Sequence, residues 1–323
     1  MKPITVLIHI GGTNRRFLFL NLIFDTIKEK KKVTCVLLVF DWGGTSVKYG
    51  LWNGEELLKT SSFKTPTNYE TLKEKMMEVK NNYSDVNISG ISISAPGVVD
   101  VEQQVIRGIS AIPYIHHFNI FADLSDYFSL PVTIENDANC AGLAEVYRGV
   151  AKDKKDVLFV VVGTGVGGAI FQNGQLKKGA HLYGGEFGLM ILDHGETFSN
   201  LGTAVRMAER FCQRKNLPVG SVSGEEIFAL GEAGDKIAAE EVEKFYTYLS
   251  QGLYSLQFTL DPEVIVLGGG VSQKNGLVEE LSKRVTDLCV EKGLTDINPE
   301  IVACQYKNDA NLIGAAVNFF MNN

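Results

Sequence analysis

The sequence predicts an α/β protein made of two related lobes that face each other across a cleft. Two segments share one plan: residues 36–40 and 157–162 are apolar runs of strand character, each followed directly by a glycine-rich turn. Each turn leads into a second strand that ends at an Asn-Gly pair, at 53–54 and at 173–174, which favours a tight hairpin. No linker or low-complexity tract separates the two segments, so we expect the lobes to share an interface.

The other elements follow in order along the chain. Leu72, Met76 and Val79 have helical spacing within residues 69–83, and residues 88–93 alternate as a strand does. Helical patterns fill residues 203–214, 234–259 and 277–291, and a strand at 264–267 ends in three glycines. This mixture of strands and helices is typical of an α/β fold.

Composition restricts the classes of function. A length of 323 residues indicates about two domains. The net charge of −7 argues against a nucleic-acid partner, because such proteins usually present a basic face. The five cysteines are scattered and have no CxxC spacing, which predicts reduced thiols in the cytoplasm, not a disulfide framework or a zinc knuckle.

The first 32 residues differ in character from the rest. Arg15 and Arg16 precede an apolar run at 17–24, and a basic run at 28–32 follows. A signal peptide is one interpretation, but no small-residue cleavage site follows, and the apolar run is far shorter than the roughly 20 residues of a membrane span. We expect residues 1–32 to be an extension outside the fold and expect no membrane partner; deleting them should leave stability and turnover nearly unchanged.

Glycine-rich turns after strands favour phosphate binding, because backbone N–H groups approach phosphate oxygens where no Cβ intervenes. Such turns occur at 43–44, 163–168 and 268–270. The sequence contains no Walker motif, and the turn at 163–168 precedes a strand, which disfavours a dinucleotide-binding turn. Asp41, beside the first turn, suits contact with the water shell of Mg²⁺, although a turn-capping aspartate is the alternative.

Polar side chains also crowd the end of a short strand, at Glu135, Asn136, Asp137 and Asn139. A polyol could be held and deprotonated there, and the alternative is an Asn/Asp pair that caps the following helix. Glu186, framed by glycines, is suited to accept hydrogen bonds from sugar hydroxyls.

From about Val33 onward the chain resembles the ROK family of sugar kinases and related repressors. The resemblance implies two ribonuclease-H-like lobes, as in the actin/hexokinase-like ATPases, with limits at 33–134 and 135–308 and a C-terminal helix at 309–323 that packs back on the first lobe. It implies that Asp137 is the catalytic base and that Pro96, Gly97, Asn136, Asp137 and Glu186 bind the sugar. It places the ATP phosphates on Asp41, Gly43, Gly44, Thr45, Gly163, Thr164, Gly165 and Gly167, and the adenosine side on Gly268, Gly269 and Gly270.

One departure from the family pattern concerns zinc. Zinc-bearing members have a sugar-contacting histidine after Glu-x-Gly and then three cysteines, but Leu189 stands at the histidine position and no cysteine lies between Cys140 and Cys212. We therefore expect no zinc site. The residue that replaces the histidine stays open, and Glu196 is a candidate for the glutamate that ends the family's zinc loop.

The resemblance implies ATP and Mg²⁺ as cofactors and phosphorylation of a sugar hydroxyl, with O6 as the expected position, on a glucose-type hexose or β-glucoside. N-acetylmannosamine kinase and glucokinase are the alternatives, and we also expect a homodimer. A sugar-sensing transcriptional regulator is the alternative from another class, but the residues before Val33 are too few for a helix-turn-helix domain. The retention of Asp41 and Asp137 argues against an inert sugar-binding protein.

Overall fold

Two five-stranded sheets of matching strand order organise residues 35–322, the part of the chain that the computed structural model describes. In spatial order, the first sheet contains β3 (Leu57–Lys64), β2 (Ser46–Trp52), β1 (Val36–Trp42), β4 (Ile88–Ala95) and β7 (Val132–Asn136). On one side of β1 the strands pair antiparallel, and on the other side they pair parallel. The predicted extension, residues 1–32, lies outside the described residues.

The second sheet repeats this arrangement. Its strands in spatial order are β10 (Gln175–Leu176), β9 (Val166–Gln172), β8 (Val157–Val162), β13 (Val264–Gly268) and β14 (Ile301–Ala303). Here β8 takes the place of β1, with antiparallel strands on one side and parallel strands on the other. The repeated topology confirms the two-lobed α/β fold that the sequence predicts.

The central strands are continuous apolar runs because both of their faces are covered. Phe40 and Trp42 of β1, and Ile91 and Ile93 of β4, are at most 1% exposed. Parallel strands buried on both faces are typically apolar throughout, whereas half-exposed strands alternate. The polar residues at the carboxyl ends of these strands are therefore exceptions to the local pattern.

Two short hairpins complete the strands. They pair β5 (Val98–Asp100) with β6 (Val105–Arg107) and β11 (Ile191–Asp193) with β12 (Glu196–Thr197). The second hairpin occupies the segment where zinc-bearing members of the resembled family carry their cysteine loop.

The helices predicted at 69–83, 203–214, 234–259, 277–291 and 309–323 are present with ends within about two residues of the predicted limits, and the structure adds helices at 120–128, 198–201 and 224–232. They are α1 (Tyr69–Asn81), α2 (Ile120–Phe128), α3 (Asp137–Tyr147), α4 (Phe198–Leu201), α5 (Ala204–Lys215), α6 (Gly224–Glu232), α7 (Lys236–Leu260), α8 (Leu277–Glu291) and α9 (Ala310–Asn322). Asp235 caps the start of α7, and Asp261 ends it in a left-handed conformation, after which Pro262 cannot continue the helix. Within residues 35–322, no helix combines the length and the apolar character that crossing a membrane requires.

Helices α3 and α9 pack on each other and position the site. Helix α9 lies against β1, β4 and β7 of the first sheet, and α3 also contacts β8 and β9 of the second. The crossing is close: a Cβ on Gly314 would lie 1.6 Å from the carbonyl oxygen of Cys140. Only glycine at 314 permits this approach, which brings the start of α9 close to the end of β1. The predicted lobe limit at residue 134 falls inside β7.

Candidate active site

A cleft of about 290 Å³ lies where the end of β7 and the start of α3 meet the turn between β8 and β9. Its volume is close to the lower end of the roughly 300–1,000 Å³ found for small-ligand pockets. Six predicted site residues line it: Gly97, Asn136, Asp137, Gly165, Gly167 and Glu186. The cleft thus brings predicted sugar-binding residues together with one of the predicted phosphate-binding turns.

The other predicted residues lie outside the lining of this cleft. They are Asp41 at the end of β1, Gly43, Gly44 and Thr45 in the β1–β2 turn, Pro96 after β4, Gly163 and Thr164 in the β8–β9 turn, and Gly268, Gly269 and Gly270 at the end of β13. Gly269 has φ 88°, and a Cβ there would lie 2.2 Å from the carbonyl oxygen of Val162. Gly269, one of the glycines predicted to lie on the adenosine side, therefore lies directly against the end of β8, next to the β8–β9 turn.

Asp137 is the first residue of α3. Its Oδ1 accepts hydrogen bonds from the N–H of Ala138 at 2.8 Å and from Nδ2 of Asn136 at 3.0 Å. Burial, together with the negative charges of Asp41 and Glu186, raises the pKa of Asp137 from its ordinary value of 3.8 to about 6, although the hydrogen bonds from Ala138 and Asn136 act to lower it. At neutral pH the carboxylate is ionised but has a pKa close to the surrounding pH, which suits proton acceptance from a hydroxyl.

Asn136, not Asp137, caps α3. Its Oδ1 accepts a hydrogen bond from the N–H of Asn139 at 3.1 Å. Its Nδ2 donates to the carbonyl oxygen of Gly97 at 3.0 Å and to Asp137. An amide has two N–H donors and one oxygen with two lone pairs, so Asn136 keeps a single lone pair for a ligand. The capping alternative is therefore correct for Asn136, and sugar contact by this residue stays a prediction.

Asp41, near the carboxyl end of β1, is held by two side chains. Its Oδ1 accepts from Oγ of Ser94 and from Nδ2 of Asn311, both at 2.9 Å, and the residue is 8% exposed. Because both bonds use Oδ1, the second carboxylate oxygen keeps its lone pairs for the water shell of a hard cation. The arrangement fits Mg²⁺ held through water at Asp41.

Glu186 faces the cleft, and partial burial raises its pKa. Leu189, at the position of the family's histidine, is 65% exposed and does not line the cleft. Glu196 lies in β12, where its Oε2 accepts from Nδ2 of Asn200 at 2.9 Å. Neither residue lines the cleft, and the substitution of Glu196 for the loop glutamate stays a prediction.

Two polar residues that line the cleft were not identified from the sequence. Lys178 lines the cleft and forms an ion pair with Glu135, and Asn311 lines it and bonds Asp41. Lys178 stands in a lysine pair after a hairpin, which is typical of a surface, and Asn311 stands at the start of an apolar helix. Neither pattern indicates a site, because both partners are distant in sequence.

No group of three or more His, Cys, Asp or Glu residues placed to hold a metal ion occurs in the described range 35–322. The expectation of a protein without zinc stays a prediction for metal analysis.

The chain is similar in sequence to known proteins over most of its length. The β-glucoside kinase of Listeria innocua is 34% identical over 293 residues, which cover 88% of this chain and 97% of the relative. The N-acetyl-D-glucosamine kinase of Vibrio parahaemolyticus is 28% identical over 298 residues, which cover 86% of this chain and 97% of the relative.

A crystal structure of a ROK family protein from Streptococcus pneumoniae in complex with sucrose superposes with a TM-score of 0.81 at 36% identity. The superposition covers 89% of this chain and 98% of that protein. The sequence model of the ROK family itself matches residues 37–319. The predicted resemblance is confirmed, and the chain belongs to the ROK family.

Proposed function

We propose that the protein is a sugar kinase that transfers the γ-phosphoryl group of MgATP to O6 of a glucose-type hexose or β-glucoside, with Asp137 as the general base. The observation that carries this proposal is the partly buried carboxylate of Asp137 in the wall of the cleft, whose pKa of about 6 stands between its ordinary value and neutrality. It lies in a cleft that also contains Glu186 and the glycine turn at 163–167.

The chain's own residues supply the positioning that phosphoryl transfer needs. Glu186 accepts hydrogen bonds from sugar hydroxyls, and Asp137 takes the proton of the attacking hydroxyl. The backbone N–H groups of the turns at 43–45 and 163–167 bind phosphate oxygens, and Asp41 orients the water shell of the cation. Bound Mg²⁺ supplies charge neutralisation on the phosphates.

The β-glucoside preference rests on two observations. The β-glucoside kinase of Listeria innocua is 34% identical over nearly its full length. In addition, the β11–β12 hairpin occupies the segment of the family's zinc loop, and we infer that the absence of that loop leaves room for a second sugar beyond the reacting ring. N-acetylated hexosamines are the second candidate, because a relative of that activity is 28% identical.

A coupled ADP-release assay across cellobiose, glucose, N-acetylglucosamine and N-acetylmannosamine tests the proposal. We expect the highest kcat/KM for cellobiose, with the phosphate on O6 of the non-reducing glucose by NMR. A kcat/KM for any monosaccharide more than about tenfold higher, equal to about 1.4 kcal/mol, would refute the β-glucoside preference.

Sugar binding without ADP release from any sugar would refute the kinase proposal and favour a sugar sensor. Light scattering on the same preparation tests the expected homodimer.

A further inference from the structure

The side chain of Lys178 joins the two sides of the cleft. Lys178 follows β10 of the second sheet, and its Nζ lies 2.9 Å and 3.0 Å from the two carboxylate oxygens of Glu135, near the end of β7 in the first sheet. The same Nζ lies 2.6 Å from the carbonyl oxygen of Val99 in β5. One ammonium group therefore contacts two elements on the opposite side.

Lys178 has no donor left for a ligand. An ammonium group carries three N–H donors, and the three acceptors on Glu135 and Val99 match that number. The side chain of Lys178 is 18% exposed and that of Glu135 is 4% exposed, so this pair is largely removed from water. Lys178 therefore connects the segment after β10 to β7 and β5, and it has no N–H group available to bind phosphate.

Both ends of the ion pair are attached to residues of the proposed reaction. Oε1 of Glu135 also accepts from the N–H of Asn136 at 2.8 Å and from Nδ2 of Asn139 at 3.0 Å, directly beside Asp137. At the other end, the carbonyl oxygen of Lys178 accepts from the N–H of Gly184 at 2.8 Å. That bond closes the loop leading to Glu186.

We propose that Lys178 is a positioning residue that sets the placement of Glu186 relative to Asp137, and so places the sugar hydroxyl on the base. This inference rests on the proposed function. A misplacement of about 1 Å between reacting groups can cost on the order of 100-fold in rate. Loss of the Lys178–Glu135 contact should therefore reduce turnover while leaving the ATP phosphate turns intact.

The test compares Lys178→Met, Glu135→Gln and the double variant with wild type, each well below its own Tm. Lys178→Met removes the ammonium but keeps the chain length, and leaves Glu135 buried without its cation. The double variant removes both charges, so it also avoids the unpaired buried carboxylate if the single variant folds poorly. Lys154→Met, which breaks an ion pair with Glu300 away from the cleft, is the matched control.

We expect kcat to fall at least about tenfold in Lys178→Met and in the double variant, with the KM for ATP within about twofold of wild type. Recovery of kcat in the double variant to within about threefold of wild type would overturn the inference. The loss of activity in Lys178→Met would then come only from the unpaired buried charge of Glu135. A rise of the KM for ATP beyond about twofold would also overturn the inference, because the substitution would then disturb the ATP site as well as the sugar site.

An active wild type with an equally active Lys178→Met variant refutes the positioning role alone. A wild type that phosphorylates no sugar refutes the proposed function instead.

Discussion

The substitution Asp137→Asn should lower the activity of the enzyme and raise its stability. Asparagine keeps the size of the side chain and can still accept from the N–H of Ala138, but it cannot take a proton. Removal of a general base typically costs about 10²–10⁴-fold in rate. We therefore expect kcat to fall by at least about 100-fold, with the KM for ATP nearly unchanged because we propose that the glycine turns, not Asp137, bind the phosphates.

The same substitution should stabilise the protein at neutral pH. In the folded state the pKa of Asp137 is raised from 3.8 to about 6, so the folded protein binds this proton more tightly than the unfolded chain does. The folded state is then penalised progressively as pH rises from about 4 to about 6, and the penalty is constant above that range. At 1.36 kcal/mol per pH unit, ionised Asp137 costs up to about 3 kcal/mol above pH 7, and asparagine removes this cost.

Thermal unfolding and steady-state kinetics at pH 7.5 and pH 4.5 measure both effects. At pH 7.5 the variant should have a Tm a few degrees above wild type, because 1 kcal/mol corresponds to roughly 2–4 °C in chains of 150–250 residues. At pH 4.5 the difference in Tm between the variant and wild type should be smaller. Asp153→Asn, at an exposed position, is the control. Turnover within about threefold of wild type in a folded Asp137→Asn protein would refute the base assignment, and an unchanged Tm would refute the argument from burial.

Three further predictions concern the same cleft. The kcat/KM for the sugar should fall about tenfold per pH unit below the Asp137 pKa of about 6, because the protonated carboxyl cannot accept the hydroxyl proton. A kcat/KM that stays constant down to about pH 5 would contradict this prediction. Asn311→Ala removes a hydrogen bond to the Asp41 carboxylate, and such a bond to a charged acceptor is worth about 1.5–3 kcal/mol. The KM for ATP should therefore rise roughly tenfold or more, while the KM for the sugar stays unchanged. The control Asn322→Ala should have the KM values of the wild type. Metal analysis should find no stoichiometric zinc, and a zinc-selective chelator with excess Mg²⁺ should leave turnover unchanged; loss of activity would contradict the zinc-free prediction.

The fold could be predicted from the sequence because its determinants are local. The apolar runs at 36–40 and 157–162, the glycine turns after them and the Asn-Gly pairs each specify a short segment, and their repetition predicts the repeated sheet order. The limits of α8, Leu277–Glu291, match the predicted helix because leucine and valine spacing alone defines the buried face. Short-range patterns were sufficient for these elements.

Part of the site was also predictable. The polar cluster at the end of β7 stands out because a buried strand rarely ends in four polar residues, and Glu186 stands out among glycines. The roles inside the cluster were not separable from the sequence. Asn136 caps α3 and Asp137 is its first residue, an assignment that depends on the backbone at the end of the strand.

The sequence by itself therefore determined the strands, the turns and the identity of the polar residues, since these depend on neighbours a few positions away. Only the tertiary structure decided the chemistry of Asp137, because its raised pKa arises from burial and from the charges of Asp41 and Glu186 on other elements. It also decided the partners of the cleft: Asn311 meets Asp41 across 270 positions of sequence, and Lys178 meets Glu135 across 43. Contacts of this range form only when the two sheets and the α3–α9 crossing are in place, and no local pattern specifies them.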